Sequence, residues 1–166
     1  MENTVKEIGI ALNQPLYVYQ QPMFMLTVSV VLIEENGVVV LEGQTAASPH
    51  RETYYRFPGG PVKAGQETIQ FSAVRQIKEQ TGILLKKDAL IPVDFRSNPE
   101  RSKEGNIVDI GMVCVTNAKP EGHKNAKWFP IDFERKKIDD SGISQFYMDH
   151  DVLLERAIDV VMMMKE

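Results

Sequence analysis

Gln76, Glu79 and Gln80 lie three and four positions apart in the stretch "RQIKEQTG", Arg75 to Gly82. On a helix that spacing gathers them on one surface, the exposed face that points away from the core. The stretch follows "FPGG", Phe57 to Gly60, where proline fixes one φ angle and two glycines permit close backbone approach. Oxygen-bearing side chains beside a glycine turn are a layout for holding a hard divalent cation. Of the three, however, only Glu79 is charged. A glutamine carbonyl offers a neutral oxygen, and Mg²⁺ prefers charged ones. The face therefore leaves two alternatives: a working metal site, or only the frame of one.

The elements that must position this face follow from local pattern. Glu67 to Thr81 is predicted helical, with Gln70, Ala73, Val74, Ile77 and Thr81 at three- and four-residue spacing on a mostly apolar face. Gly82 ends it as a C′ glycine would. Upstream, Phe24–Glu34 and Val38–Gly43 are rich in Val, Leu and Ile and are joined by "ENG", a hairpin signal. "TAASPHRETYY" is predicted as a polar loop. "LIPVDFR" and "NIVDIGMVCVT" read as strands separated by the charged loop "SNPERSKEG". "AKWFPID" reads as a short strand stopping at Pro130, and "FYMDHDVLLERAIDVVMMMK" as a closing amphipathic helix. Mixed strands and helices, with a hairpin in front, indicate the α/β class and a sandwich rather than an all-parallel, doubly wound sheet.

Composition limits the rest. A chain of 166 residues, 43% hydrophobic and 25% charged, has room for one domain with a proper core. A net charge of -4 gives no non-specific attraction to nucleic acid. The single cysteine, Cys114 in "IGMVCVT", excludes an internal disulfide and reads as a buried, inert thiol. The first residues, "MENTVKEIGIALNQ", lack a basic region followed by an apolar core, so no signal peptide is expected. No apolar run approaches the ~18 residues of a membrane span, and the cytoplasm is the expected compartment.

The segment from Gly60 to Ile83 resembles the Nudix box, a loop-helix-loop element. Gly60, Glu67, Arg75, Ile77, Glu79, Gly82 and Ile83 stand at its characteristic positions, with Gly60 to Glu67 spaced one residue too long. The resemblance implies a Nudix-type α/β/α sandwich with a mixed sheet. It also implies that Glu67 pairs with Arg75 to brace the loop. Glu79, the Gly60 backbone and, as weak neutral ligands, Gln76 and Gln80 would hold Mg²⁺ or Mn²⁺. Gln76 and Gln80 replace glutamates that in the family are principal metal ligands, which implies weakened hydrolysis. Trp128–Pro130, Asp149–His150 and "NPERSKEGNIVDIGMVCV" resemble the members that act on ADP-ribose, and the Nudix-like regulators that sense such compounds. The expected substrate is thus a nucleoside diphosphate linked to another moiety; the alternative is a non-catalytic module binding such a ligand. Those regulators carry a DNA-binding domain after the Nudix domain. This chain ends before one and is acidic, so neither nucleic acid nor membrane is an expected partner.

The resemblance spans roughly Phe24 to Val161. The expected division is an N-terminal extension, 1–23, and a Nudix domain, 24–166. In the extension, "LYVYQQPMFM" offers an edge strand or a homodimer contact. Arg51, Arg56, Arg101 and Lys103 are loop cations available to phosphates, though each also reads as ordinary surface charge. Of these, Arg56 and Arg101, with Tyr55, are the candidate substrate contacts; stacking and core packing explain Tyr54 and Tyr55 equally well. Asp149 is placed to N-cap the last helix, which makes His150 structural. His50 and His123 are isolated. Glu100, Glu104, Asp139 and Asp140 are loop carboxylates, any of which is available as a distant base.

Overall fold

A computed structural model describes residues 6–9, 15–18, 24–44, 53–63, 65–102, 106–139 and 145–165. Arg51, Lys103, Glu104, Asp140 and His50 lie outside the described residues. In the N-terminal segment, β1 (Lys6–Gly9) and β2 (Pro15–Val18) pair with each other in an antiparallel ladder.

One mixed sheet forms the body. Its strands are β3 (Met25–Glu34), β4 (Gly37–Gln44), β5 (Thr53–Arg56), β6 (Gly59–Pro61), β7 (Ile91–Arg96), β8 (Ile107–Val115), β9 (Ala126–Asp132) and β10 (Lys137–Ile138). The order is β10-β9-β4-β3-β8-β7, with β5 also paired to β4 and β6 to β3. β3 and β8 run parallel and the other pairs antiparallel. Helix α1 (Ile69–Thr81) covers one face and α2 (His150–Met163) the other. Strand alternation explains the division: Val28, Val30 and Leu32 of β3 point towards Ala73 and Ile77 of α1, whereas Val31 and Ile33 point towards Leu153, Leu154 and Ile158 of α2. With both faces covered, β3 reads as a continuous apolar run from Val30 to Ile33. Each fully buried Val, Leu or Ile side chain stabilises the fold by about 1.5–3 kcal/mol.

Four boundaries and one helix-face assignment differ from the sequence expectation. Helix α1 begins at Ile69, capped by Thr68, whose Oγ1 accepts from the Phe71 amide at 3.3 Å. Glu67 stays outside the helix because its carboxylate is held by the Lys63 amide and by Arg75. Gln70 is exposed and takes no part in the apolar face. Thr53–Arg56 is a strand on β4, not the end of a loop. β9 runs through Pro130, which lies opposite Gly37 and accepts from the Asp139 amide at 2.8 Å; a proline needs only its carbonyl in that position. The last helix does not start at Phe146, because the backbone on either side of it, at Gln145 and Tyr147, bonds to Tyr55 at 2.9 and 2.7 Å.

Candidate ligand site

Two elements converge beside the first half of β3. The β6 strand holds the glycine turn against it, pairing Gly59 with Ser29 and Gly60 with Val28. A Cβ at Gly59 would lie 2.0 Å from the Val28 carbonyl oxygen and 2.8 Å from the Ser29 Cα. Those are backbone atoms of the central strand and cannot yield, so glycine is required. Helix α1 then lays its polar face over this strand. Gln80 Oε1 accepts from the Gly59 amide at 2.8 Å, while Gln80 Nε2 donates to the Gly59 carbonyl and to Gln76 Oε1, at 2.8 and 2.9 Å. Gln76 Nε2 donates to the Pro61 carbonyl at 3.4 Å. Gln76 is 8% exposed. The two glutamines are thus a neutral clamp turned onto the glycine turn, where the sequence suggested a face pointing away from the core.

A cavity of about 340 Å³ opens beside the clamp. Gln76, Gln80, Gly60, Arg56 and Arg101 are all on its wall. Tyr54 lines it too, its ring 5.1 Å from that of Tyr147. Tyr55, the tyrosine chosen from the sequence, is not on that wall. Strand alternation turns it to the α2 side, edge-on to Phe129 at 5.7 Å. Glu79 is also elsewhere: its side chain is 57% exposed, it pairs with Arg75 at 3.3 Å, and it lines a neighbouring cavity with Arg56, Gln80 and His123. Glu67 and Arg75 form a bidentate pair at 2.7 and 3.0 Å outside both cavities. The Arg75 guanidinium and the Lys63 amide hold the Glu67 carboxyl down at about 2. Glu100 and Asp139 are exposed and off the cavity wall. Cys114 is buried among the α1-side core residues, and burial raises its thiol pKa.

Sequence reasoning missed the most ordered part of the site. Asp109 of β8, 2% exposed, accepts from Thr27 Oγ1 at 2.6 Å and Ser29 Oγ at 3.0 Å, and pairs with Arg96. Arg96 also donates to Asp149 Oδ1 at 2.9 Å and to its backbone oxygen at 2.7 Å. Arg101 grips the same Asp149 carboxylate through Nε and Nη2, at 2.9 and 2.6 Å. Asp149 occupies the N-cap position of α2 but makes no side-chain cap bond, because the two arginines take its oxygens. Burial alone would raise its pKa; Arg101 and Arg96 outweigh that and lower it. His150 Nδ1 accepts from the Phe57 amide at 2.9 Å and the ring stacks on Phe57, so Nε2 carries the proton. The one available signal was polar residues on one side of apolar strands: Thr27 and Ser29 in "LTVSVV", and Asp109 in "IVDIGMV".

This donor set does not fit a hard divalent cation. Such a cation needs about six oxygens, several of them charged. The oxygens of Gln76 and Gln80 already accept hydrogen bonds, one Glu79 oxygen is paired, and Asp109 is saturated. Among the described residues no three His, Cys, Asp or Glu side chains are grouped to hold a metal. No described helix is long and apolar enough to cross a membrane.

Comparison with known proteins agrees with this architecture. A curated ADP-ribose pyrophosphatase of Methanocaldococcus jannaschii is 28% identical over 102 residues, covering 61% of this chain and 55% of that protein. The chain therefore spans about half the length of that relative. Among solved structures, a MutT/nudix family protein from Enterococcus faecalis matches with a TM-score of 0.67 at 20% identity, over 86% of this chain and 64% of that one. The NUDIX domain of Shewanella oneidensis NrtR, complexed with ADP ribose, matches with a TM-score of 0.65 at 18% identity, over 85% and 90%. At these identities the structural likeness is one of fold. The family model for the NUDIX domain matches residues 23–149, and the chain belongs to that family.

Proposed function

We propose that this chain is a ligand-binding NUDIX module that takes a nucleoside diphosphate linked to a second moiety, of the ADP-ribose kind, and holds it with little or no hydrolysis. The amide clamp of Gln76 and Gln80 on Gly59 carries this reading, because it fills the place of charged metal ligands with groups already satisfied. The tyrosine pair offers a stacking wall and the two arginines offer donors to phosphate. The ADP-ribose pyrophosphatase relative and the ADP-ribose complex of a neighbour support the ligand class. A weakened hydrolase is the second reading, favoured by the Glu67–Arg75 brace and by Glu79.

Thermal melts with ADP-ribose, run beside product assays in Mg²⁺ and Mn²⁺, separate the two. Binding is expected to stabilise the protein by about 2.7 kcal/mol at a ligand concentration one hundred times Kd, with no product formed. Turnover that disappears in Glu79→Gln would establish the hydrolase instead.

A second expected outcome concerns the clamp. Gln76→Glu with Gln80→Glu removes donors to the Gly59 and Pro61 carbonyls and sets carboxylates against them. Each lost hydrogen bond costs about 0.5–1.5 kcal/mol, so the double variant should melt lower in EDTA and recover on adding Mg²⁺. Equal melts in both conditions would mean that the new carboxylates gather no cation.

A further inference from the structure

Resting on the reading that the cavity binds a nucleoside diphosphate derivative, we propose that its diphosphate is held without a divalent cation, in an anion subsite made by Arg56 and Arg101. Arg101 is the sharper observation. Its side chain is 4% exposed and lies on the cavity wall. Nε and Nη2 are turned to Asp149, and Nη1 is enclosed with no hydrogen-bond partner. A buried N–H without an acceptor is unfavourable, and a shift of neighbouring side chains that opens Nη1 to the cavity would let an anionic oxygen remove that penalty. The Asp149 carboxylate fixes the plane of the guanidinium, so little further ordering is needed to receive a phosphate oxygen.

Arg56 supplies the second charge. It projects from β5, donates through Nη1 to the Gly59 carbonyl at 3.3 Å, and borders both cavities. Burial lowers its pKa from the ordinary arginine value, and a guanidinium removed from water interacts more strongly with an anion than one left in it. The remaining charge balance points the same way. The charged side chains on the wall of the first cavity are Arg56, Arg101 and Asp109, and Asp109 is already paired with Arg96. Gln76 and Gln80 add no negative charge. A face with three carboxylates would require cations before it could admit a diphosphate; here Asp109 is matched by Arg96 and Asp149 by Arg101, and Arg56 leaves one surplus positive charge.

The test is calorimetric titration of the whole chain with ADP-ribose, and separately with inorganic pyrophosphate, in EDTA and in Mg²⁺. The affinity for ADP-ribose should agree within about twofold between the two conditions. Arg101→Lys keeps a cation for Asp149 but loses Nη1, and Arg56→Lys keeps the charge but loses the planar fork; each should weaken ADP-ribose by about tenfold or more, read on variants whose melting transition without ligand shows them folded. Affinity that vanishes in EDTA and returns with Mg²⁺ overturns the inference and leaves the binding reading standing. Wild-type affinity in both lysine variants also overturns it. Absence of binding by either probe under both conditions overturns the binding reading and this inference together.

Discussion

Arg96→Met is expected to cost the fold about 3–5 kcal/mol, the range for removing one partner of a buried ion pair. The guanidinium joins three elements: it is carried on β7, pairs with Asp109 of β8, and holds both the backbone oxygen and the carboxylate of Asp149 where α2 begins. Its side chain is 6% exposed and that of Asp109 only 2%. Without Arg96 the Asp109 carboxylate keeps the hydroxyls of Thr27 and Ser29 as its hydrogen-bond donors and no directly paired cation. Asp149 loses less, because Arg101 remains. Adding Asp109→Asn to Arg96→Met should therefore recover more than half of the loss. Urea unfolding of the two single variants and the double gives the coupling directly. A loss under about 1 kcal/mol for Arg96→Met would mean that water reaches Asp109 and that the pair is effectively solvated.

Acid is expected to weaken the protein well before its carboxylates protonate. His150 has its pKa pushed from 6.5 to about 3. Burial is the main cause; Arg96 and Arg56 add to it, while Asp109 and Asp149 oppose it. The folded chain therefore keeps His150 neutral through an interval in which the unfolded chain takes up a proton. Stability is complete above about pH 6.5 and falls with pH below it, with a limiting slope of about 1.4 kcal/mol per pH unit. Between pH 6.5 and 4.5 the loss is on the order of 2–3 kcal/mol. Lower still, Glu67 and Asp149 add their own losses, because their pKa values are depressed in the fold. Unfolding free energies measured across pH 7 to 4.5 check this. His150→Gln retains an oxygen acceptor for the Phe57 amide and cannot titrate, so its profile should be nearly flat above pH 4.5. A flat wild-type profile would show that the ring stays accessible to protons.

The parts of the molecule that could be read from the sequence are those in which a few neighbouring residues decide the structure. "ENG" between two apolar runs made a hairpin, Gly82 stopped a helix in the left-handed conformation at a φ of 75°, and the spacing of Ala73 and Ile77 marked a buried face. The site was less legible because its partners are remote in sequence. Gln76 looked like an exposed polar residue, but Gly60 has no side chain to keep it out, so it turns inward. Asp149 looked like a helix cap until two arginines from β7 and the following turn took its oxygens. Tyr54 and Tyr55 necessarily face opposite sides of a strand, yet which of them faces the cavity depends on how β5 pairs with β4.

The parallel pairing of β3 with β8 also bears on how the cavity comes into being during folding. Thr27 and Ser29 meet Asp109 across 82 and 80 residues of intervening chain. Closing a loop of that length costs entropy before any contact repays it, and structure dominated by such distant pairings forms slowly. The hairpin, the glycine turn and the clamp all lie before that closure in the chain, so they can assemble early and wait. The wall that carries Asp109 comes last. A chain lacking β8 would lose Ile107 and Asp109 from the cavity wall and Met112 and Cys114 from the α1-side core; binding is thus a late reporter of complete folding rather than of the box itself.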